Sequence, residues 1–151
     1  MLSLGFGPAT RPPPWTGRRP SNSVNQMPLL AGRTASVAMV AQDADTAIAL
    51  RSGDVPVLGT PRVLALVEEA SVKVVEGTLP AGHTTVGMRV QLDHLQPTRV
   101  GTTVVAEATL EKIEGRRLTF TVSVTDKCGL VAVAKLTRVI VEVEPFLEKA
   151  H

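Results

Sequence analysis

Thr60, Glu68 and His94 are of residue types that work on a carbonyl group, and each stands where it could do so. Thr60 precedes Pro61 and an apolar-periodic segment, so it stands where a helix should begin. Threonine is a favoured N-cap, and proline costs nothing at the first helical position. Backbone N–H groups at a helix N-terminus, reinforced by the macrodipole, stabilise charge building on an attacked carbonyl oxygen. The Thr60 hydroxyl can hydrogen-bond or attack such a carbonyl, and the plainer reading, a cap bonding the second or third helical N–H, is compatible with that. Pro61 has no N–H, so the donors would come from Arg62 onward or from elsewhere. Glu68 lies between Leu64 and Val72 at four-residue spacing, whereas Glu69 lies between Ala65 and Lys73. Glu68 is thus the half-buried one, and a carboxylate in an apolar cleft suits a general base for water. His94 falls in phase with Val86, Met88, Val90 and Leu92, which predicts an imidazole on the inward face of a strand. Taken alone, such a histidine is more often a hydrogen-bonded core residue than a catalyst.

The elements that must position these residues can be read along the chain. Residues 1–32 are rich in Pro, Gly, Arg and Ser, too poor in apolar area to offset their ordering entropy, and are expected to form a disordered tail. The domain is expected to span 33–151, with a first strand near 34–41 and a loop leading to Thr60. The helix should run to Glu76, ended by Gly77, with Val63, Val67, Ala70 and Val74 buried and a Glu69–Lys73 pair on its solvated face. Four strand-like segments follow, separated by turn signals at "QPTRVG", "EGR" and "KCG". One strand, one long helix and four consecutive strands is an α+β order in which an antiparallel five-stranded sheet wraps around the helix, the hot-dog arrangement. The last strand is apolar on both phases, which asks for a second cover. A homodimer, or a dimer of dimers, would supply it.

Composition excludes several function classes. The chain has 151 residues, 44% of them hydrophobic, and a net charge of +2, enough apolar content for one core. Arg11, Arg18, Arg19 and Arg33 all precede the first acid, Asp43, so the rest of the chain is slightly acidic. With only three Phe and one Trp, there is neither a basic face nor an aromatic platform for nucleic acid. No apolar run approaches the roughly 18 residues of a membrane span. Cys128, the single cysteine, excludes an internal disulfide and reads as turn filler, compatible with a reducing, cytoplasmic setting. His83 and His151 read as bystanders, and without HxxxH or HxH spacing no metal site is expected.

The stretches "VLGTPRVLALVEEAS" and "LDHLQPTRVGTTVVAEATLEKIEGRRLTFTVSVTD" resemble the fluoroacetyl-CoA thioesterase group of hot-dog proteins. The resemblance covers roughly residues 34–146. It implies a catalytic set of a threonine at the start of the central helix, a glutamate two turns on and a histidine at the end of the next strand. Thr60, Glu68 and His94 hold those places, eight and twenty-six residues apart. It also implies an acyl-CoA substrate with a short acyl group and no cofactor beyond the CoA that the substrate carries. Arginine is a good partner for CoA phosphates, which singles out Arg62, Arg116 and Arg117, with Arg89, Arg99 and Arg138 as further cations. The sequence departs from the group twice: residues 34–59 contain no aromatic, so selectivity for fluoroacetate is not implied, and the late-strand G-x-H-x-R reads Ala134 to Arg138. Direct water attack and a covalent path through Thr60 both fit these residues. A non-catalytic acyl-CoA or acyl-ligand binding module is the alternative function. A hydratase is disfavoured because Asp93 and His94, neighbours on a strand, point to opposite faces.

Overall fold

The computed structural model describes residues 26–151, and the helix opened by Thr60 is its centre. Helix α1 spans Thr60–Val74. Val63, Leu66, Val67, Ala70 and Val74 are at most 1% exposed, the face that helical spacing predicts. The helix stops two residues earlier than expected. Val75 and Glu76 tighten into turns on the Val72 and Lys73 carbonyls, and Gly77, at φ +75°, takes the left-handed position that ends it.

Five antiparallel strands wrap this helix: β1 (Thr34–Val40), β2 (His83–His94), β3 (Thr103–Glu114), β4 (Arg117–Asp126) and β5 (Gly129–Glu142). Their order is β1-β3-β4-β5-β2, which leaves β1 and β2 as the edges. Strands β3 and β4 alternate cleanly up to Leu110, beyond which their pairing skips Glu111. Val104, Ala106, Ala108 and Leu110, with Leu118, Phe120, Val122 and Val124, are buried in the core that α1 shares, while Glu107, Thr121 and their like face out. Alanines at 106, 108, 132 and 134 keep the inner surface shallow, so the helix can lie close to the sheet. Truncating Leu66, which has no exposed surface, should cost about 2–5 kcal/mol.

Two irregularities alter the expected phase. In β2 the pairing passes from Gly87–Arg138 to Arg89–Thr137, so Met88 is an inserted residue. A bulge of this kind flips the alternation. Val90, Leu92 and His94 therefore share the inward face with Thr85 and Gly87. Val86 and Met88, expected beside His94, do not; Met88 is 46% exposed. In β5 the pairing skips Val131, so both Val131 and Ala132 are buried. This accounts for part of the two-phase apolar pattern.

Residues 26–32, counted with the tail in the sequence, run along the domain. The Gln26 side chain donates to the Thr78 carbonyl (2.8 Å), Met27 N–H to Gly77 (3.0 Å) and Gly32 N–H to Leu110 (2.7 Å). The rest of the expected tail, residues 1–25, lies outside the described residues. At the other terminus the expected strand end turns into a short helix, α2 (Val143–Glu148), after the Val143 N–H bonds the Gly82 carbonyl. No helix among the described residues is long and apolar enough to cross a membrane.

Candidate active site

Thr60 is placed by a loop clamped on several sides. Leu58 N–H bonds the carbonyl of Thr98 at 2.9 Å, and Thr98, 1% exposed, is held by Asp126 through its hydroxyl at 3.2 Å. Gly59 N–H bonds the Asp45 carbonyl at 2.9 Å, and a Cβ on Gly59 would stand 3.1 Å from the Ala47 backbone, closer than side chains normally sit. Gly59, rather than Thr60, is the N-cap residue, and it makes the turn that Thr60 was expected to make. The Thr60 hydroxyl is thereby left for another partner. It lies 2.8 Å from His94 Nδ1.

His94 is the last residue of β2, where the chain peels away as the Leu95 and Gln96 N–H groups both turn to the Val131 carbonyl. Its Nε2 is buried without a hydrogen-bond partner among the described residues. Burial lowers the His94 pKa from the ordinary 6.5 and outweighs an opposing pull from the Gln96 backbone. The imidazole is thus neutral at physiological pH and able to accept a proton. The pair opens on a cleft of about 320 Å³ lined by Ala47, Val55, Val57, Leu58 and Gln96. At this helix end the Arg62 and Val63 N–H groups are both spent on the Gly59 carbonyl, at 3.0 and 3.1 Å. The donors expected from Arg62 onward are therefore not free there, and Thr60 N–H makes no backbone hydrogen bond among the described residues.

Glu68 stands apart from this pair. Eight residues of helix put it about 12 Å from Thr60 along the axis. Its Oε2 accepts a hydrogen bond from Arg138 Nη1 at 2.8 Å. Arg138 is 6% exposed and also donates from Nε to the Thr85 hydroxyl (2.9 Å) and from Nη2 to the Thr85 carbonyl (2.8 Å). Gly87 lies against this group, since a Cβ there would come within 2.6 Å of Glu68 Oε2. Arg138, expected as a phosphate contact, is thus an interior partner of Glu68, and Thr85 and Gly87 were not singled out at all. A buried strand arginine needs an acid, and the expected helix offered Glu68, Glu69 and Glu76. That was the available signal.

The other expected contacts are dispersed. Arg62 is ion-paired with Asp45 at 3.3 Å, which secures the loop before α1. Arg116, in the β3–β4 turn, and Arg117, opening β4, lie at the far end of the sheet, because Arg117 pairs with Val139 while His94 pairs with Ala132. A larger cleft of about 520 Å³ sits at the C-terminal end of α1 and is lined by Val37, Val72, Leu79 and Thr84. His83 lines it as well, but that imidazole lies against the Ala81 carbonyl (3.1 Å) rather than a hydroxyl, so the smaller cleft is the one equipped for chemistry. Among the described residues no group of three or more His, Cys, Asp or Glu could hold a metal.

The model of the fluoroacetyl-CoA-specific thioesterase family, FlK, matches residues 41–144. Among solved structures, the fluoroacetyl-CoA thioesterase FlK is 25% identical with a TM-score of 0.78, covering 82% of this chain and 96% of that one. A hot-dog-like protein from Thermanaerovibrio acidaminovorans is 27% identical, with a TM-score of 0.72 over 79% of this chain and 87% of that one. A thioesterase superfamily member from Thermus thermophilus is 25% identical, with a TM-score of 0.74 over 80% and 90% of the two chains. No curated protein sequence matches. The family match covers well over half of the chain: the chain belongs to the fluoroacetyl-CoA-specific thioesterase family and is a thioester hydrolase of hot-dog fold.

Proposed function

We propose that this chain hydrolyses the thioester of a short-chain acyl-CoA, with the Thr60–His94 pair as its reacting centre. The observation that carries this is the 2.8 Å contact between Thr60 Oγ1 and His94 Nδ1 at the head of a helix. Thr60 Oγ1 passes its proton to Nδ1 as it attacks the thioester carbon, and the Thr60 N–H faces the oxyanion. Collapse breaks the C–S bond, the CoA thiolate takes the proton from His94, and the acyl group remains as an ester on Thr60. A water that loses its proton to His94 cleaves that ester and returns the hydroxyl. The contact favours this covalent path over direct water attack, since an alcohol already bonded to its base needs no further placement. The cleft of about 320 Å³ supports a small acyl group, and the absence of aromatics from 34–59 supports a substrate other than fluoroacetyl-CoA. The reaction calls on no cofactor, and a CoA ester as substrate fits a cytoplasmic setting.

Assembly belongs to the same proposal. Strand β2 is a 12-residue sheet edge that carries Gly87 and His94. An open edge of that length invites pairing, and pairing with a second copy of itself closes it by two-fold symmetry. The homodimer so formed sets the two α1 helices side by side on one face of a continuous sheet. Glu68 of one copy then lies near the two-fold axis, where its carboxylate serves as base or as charge partner for the reaction. Release of free thiol from a panel of acyl-CoA esters tests the reading. If no ester from acetyl to palmitoyl is cleaved faster than in buffer, the chain is instead a non-catalytic acyl-CoA binding module.

A further inference from the structure

Thr60 and His94 are 34 residues apart in sequence, yet both are moored to the same turn, the one between β4 and β5. On the His94 side the mooring is a bulge. Val124 pairs with Ala132 and Thr125 with Leu130, so Val131 is inserted in β5, and an inserted residue aims its backbone groups away from the ladder. The Val131 carbonyl accepts both the Leu95 N–H (2.8 Å) and the Gln96 N–H (3.2 Å), the two residues that follow His94. On the Thr60 side the mooring is Asp126. Its Oδ1 accepts the Cys128 N–H at 2.7 Å and closes the turn. That bond alone would make Asp126 an ordinary turn residue. Its Oδ2 accepts the Thr98 hydroxyl at 3.2 Å, across 28 positions of sequence. Thr98, 1% exposed, in turn offers its carbonyl to the Leu58 N–H at 2.9 Å, two residues before Thr60.

Residues 95–98 are thus pinned to one turn at both ends, with Pro97 restricting the backbone between the pins. The two ends of this segment hold the two halves of the reacting pair. His94 leads directly into it, and Thr60 hangs from its far carbonyl. Without the Asp126 pin, the Thr98 carbonyl and the chain bonded to it can shift while Val131 still holds His94 in place.

We propose that Asp126, acting through the Thr98 hydroxyl, is a positioning residue that sets the distance between Thr60 and His94. This rests on the reading of that pair as the reacting centre. Loss of the pin changes how often the hydroxyl and the imidazole meet in reactive geometry and leaves substrate affinity alone. A displacement of about 1 Å between reacting groups can cost roughly a hundredfold in rate.

The test uses Thr98→Val, Asp126→Ala and their double variant, with Thr98→Ser as the conservative counterpart. Each is assayed with acetyl-CoA and by nitrogen-15 NMR of the His94 imidazole. Valine keeps the shape of the buried threonine and removes only its hydroxyl, so the fold should persist; serine keeps the hydroxyl. The expected result is a kcat lowered about tenfold to a hundredfold in Thr98→Val and Asp126→Ala, no further loss in the double variant, and a KM within about twofold. Thr98→Ser should recover most of the loss. The His94 Nδ1 resonance, which reports the contact with Thr60, should move in both single variants toward its position in Thr60→Ala. A wild-type kcat in Thr98→Val, a loss that Thr98→Ser does not recover, a raised KM in place of a lowered kcat, or an unmoved His94 resonance overturns the proposal. If the wild type cleaves no ester yet the His94 resonance moves in both variants, the positioning role stands and the hydrolytic reading fails.

Discussion

Two glutamates one residue apart offer an internal control, because Glu68→Gln and Glu69→Gln remove the same charge from the same helix. Glu69 is exposed, and its expected partner Lys73 donates instead to the Ser36 carbonyl at 3.0 Å. Its loss should change stability by at most about 0.5 kcal/mol and leave turnover alone. Glu68 holds the guanidinium of Arg138, a residue that is 6% exposed and meets no other acid among the described residues. Charged hydrogen bonds are worth roughly 1.5–3 kcal/mol. The Glu68 side chain is 36% exposed, so solvent screening pulls the figure down, to about 1–2 kcal/mol. The sequence alone favours a stability-neutral loss of a lone desolvated carboxylate; the Arg138 pair reverses that expectation. Turnover should fall about a hundredfold to ten-thousandfold, roughly 3–5 kcal/mol of barrier. Free-thiol release from acetyl-CoA and thermal melting by circular dichroism read the two effects separately. Equal turnover in the two variants would remove Glu68 from the chemistry, and equal melting would remove the Arg138 pair from the stability account.

Further consequences follow from the same geometry. His94 has a pKa below 6.5, so kcat/KM should stay flat as pH falls to about 6.5 and decline only lower; an acid limb centred at or above 6.5 would contradict the buried neutral imidazole. Stability should follow the same sign. Between the folded value and 6.5 the unfolded chain binds more protons, so stability is full above 6.5 and is lost as pH falls through that window, visible as a dropping melting temperature. Gly87→Ala should push the Glu68 carboxylate off Arg138, since the new Cβ falls 2.6 Å from Oε2, and lower turnover with little loss of folded protein; wild-type kinetics would show that the approach is not needed. Light scattering should report a dimer or tetramer at micromolar concentration, and a stable monomer would remove the β2 pairing.

The fold was legible because its signals are local. The Thr60-Pro61 start, the 63/67/70/74 stripe and the alternation of β3 and β4 each reflect a short-range rule, and each sits within a residue or two of its expected place. The bulge at Met88 was hidden because an inserted residue in an apolar strand leaves the composition unchanged while inverting the phase beyond it. His94 ended on the inward face regardless, for it lies on the same side of the bulge as Val90 and Leu92. At the site, Thr60 and His94, singled out from the sequence, lie 2.8 Å apart, but the capping bond expected of Thr60 is made unnecessary by Gly59. The Glu68–Arg138–Thr85 cluster was missed because it joins residues 70 and 53 positions apart. Pairings of that range depend on sheet register, which no local pattern in one sequence discloses.

Cleavage of a CoA thioester by the Thr60–His94 pair through an acyl intermediate is tested most directly by rapid-quench mass spectrometry of the protein mixed with acetyl-CoA, comparing the wild type with Thr60→Ala and His94→Ala. The account predicts an acetyl group on the peptide containing Thr60 within the first turnover, none in Thr60→Ala, and steady thiol release lowered at least a hundredfold in both variants. Thiol release at the wild-type rate from Thr60→Ala, with no acetylated peptide in any sample, would contradict it.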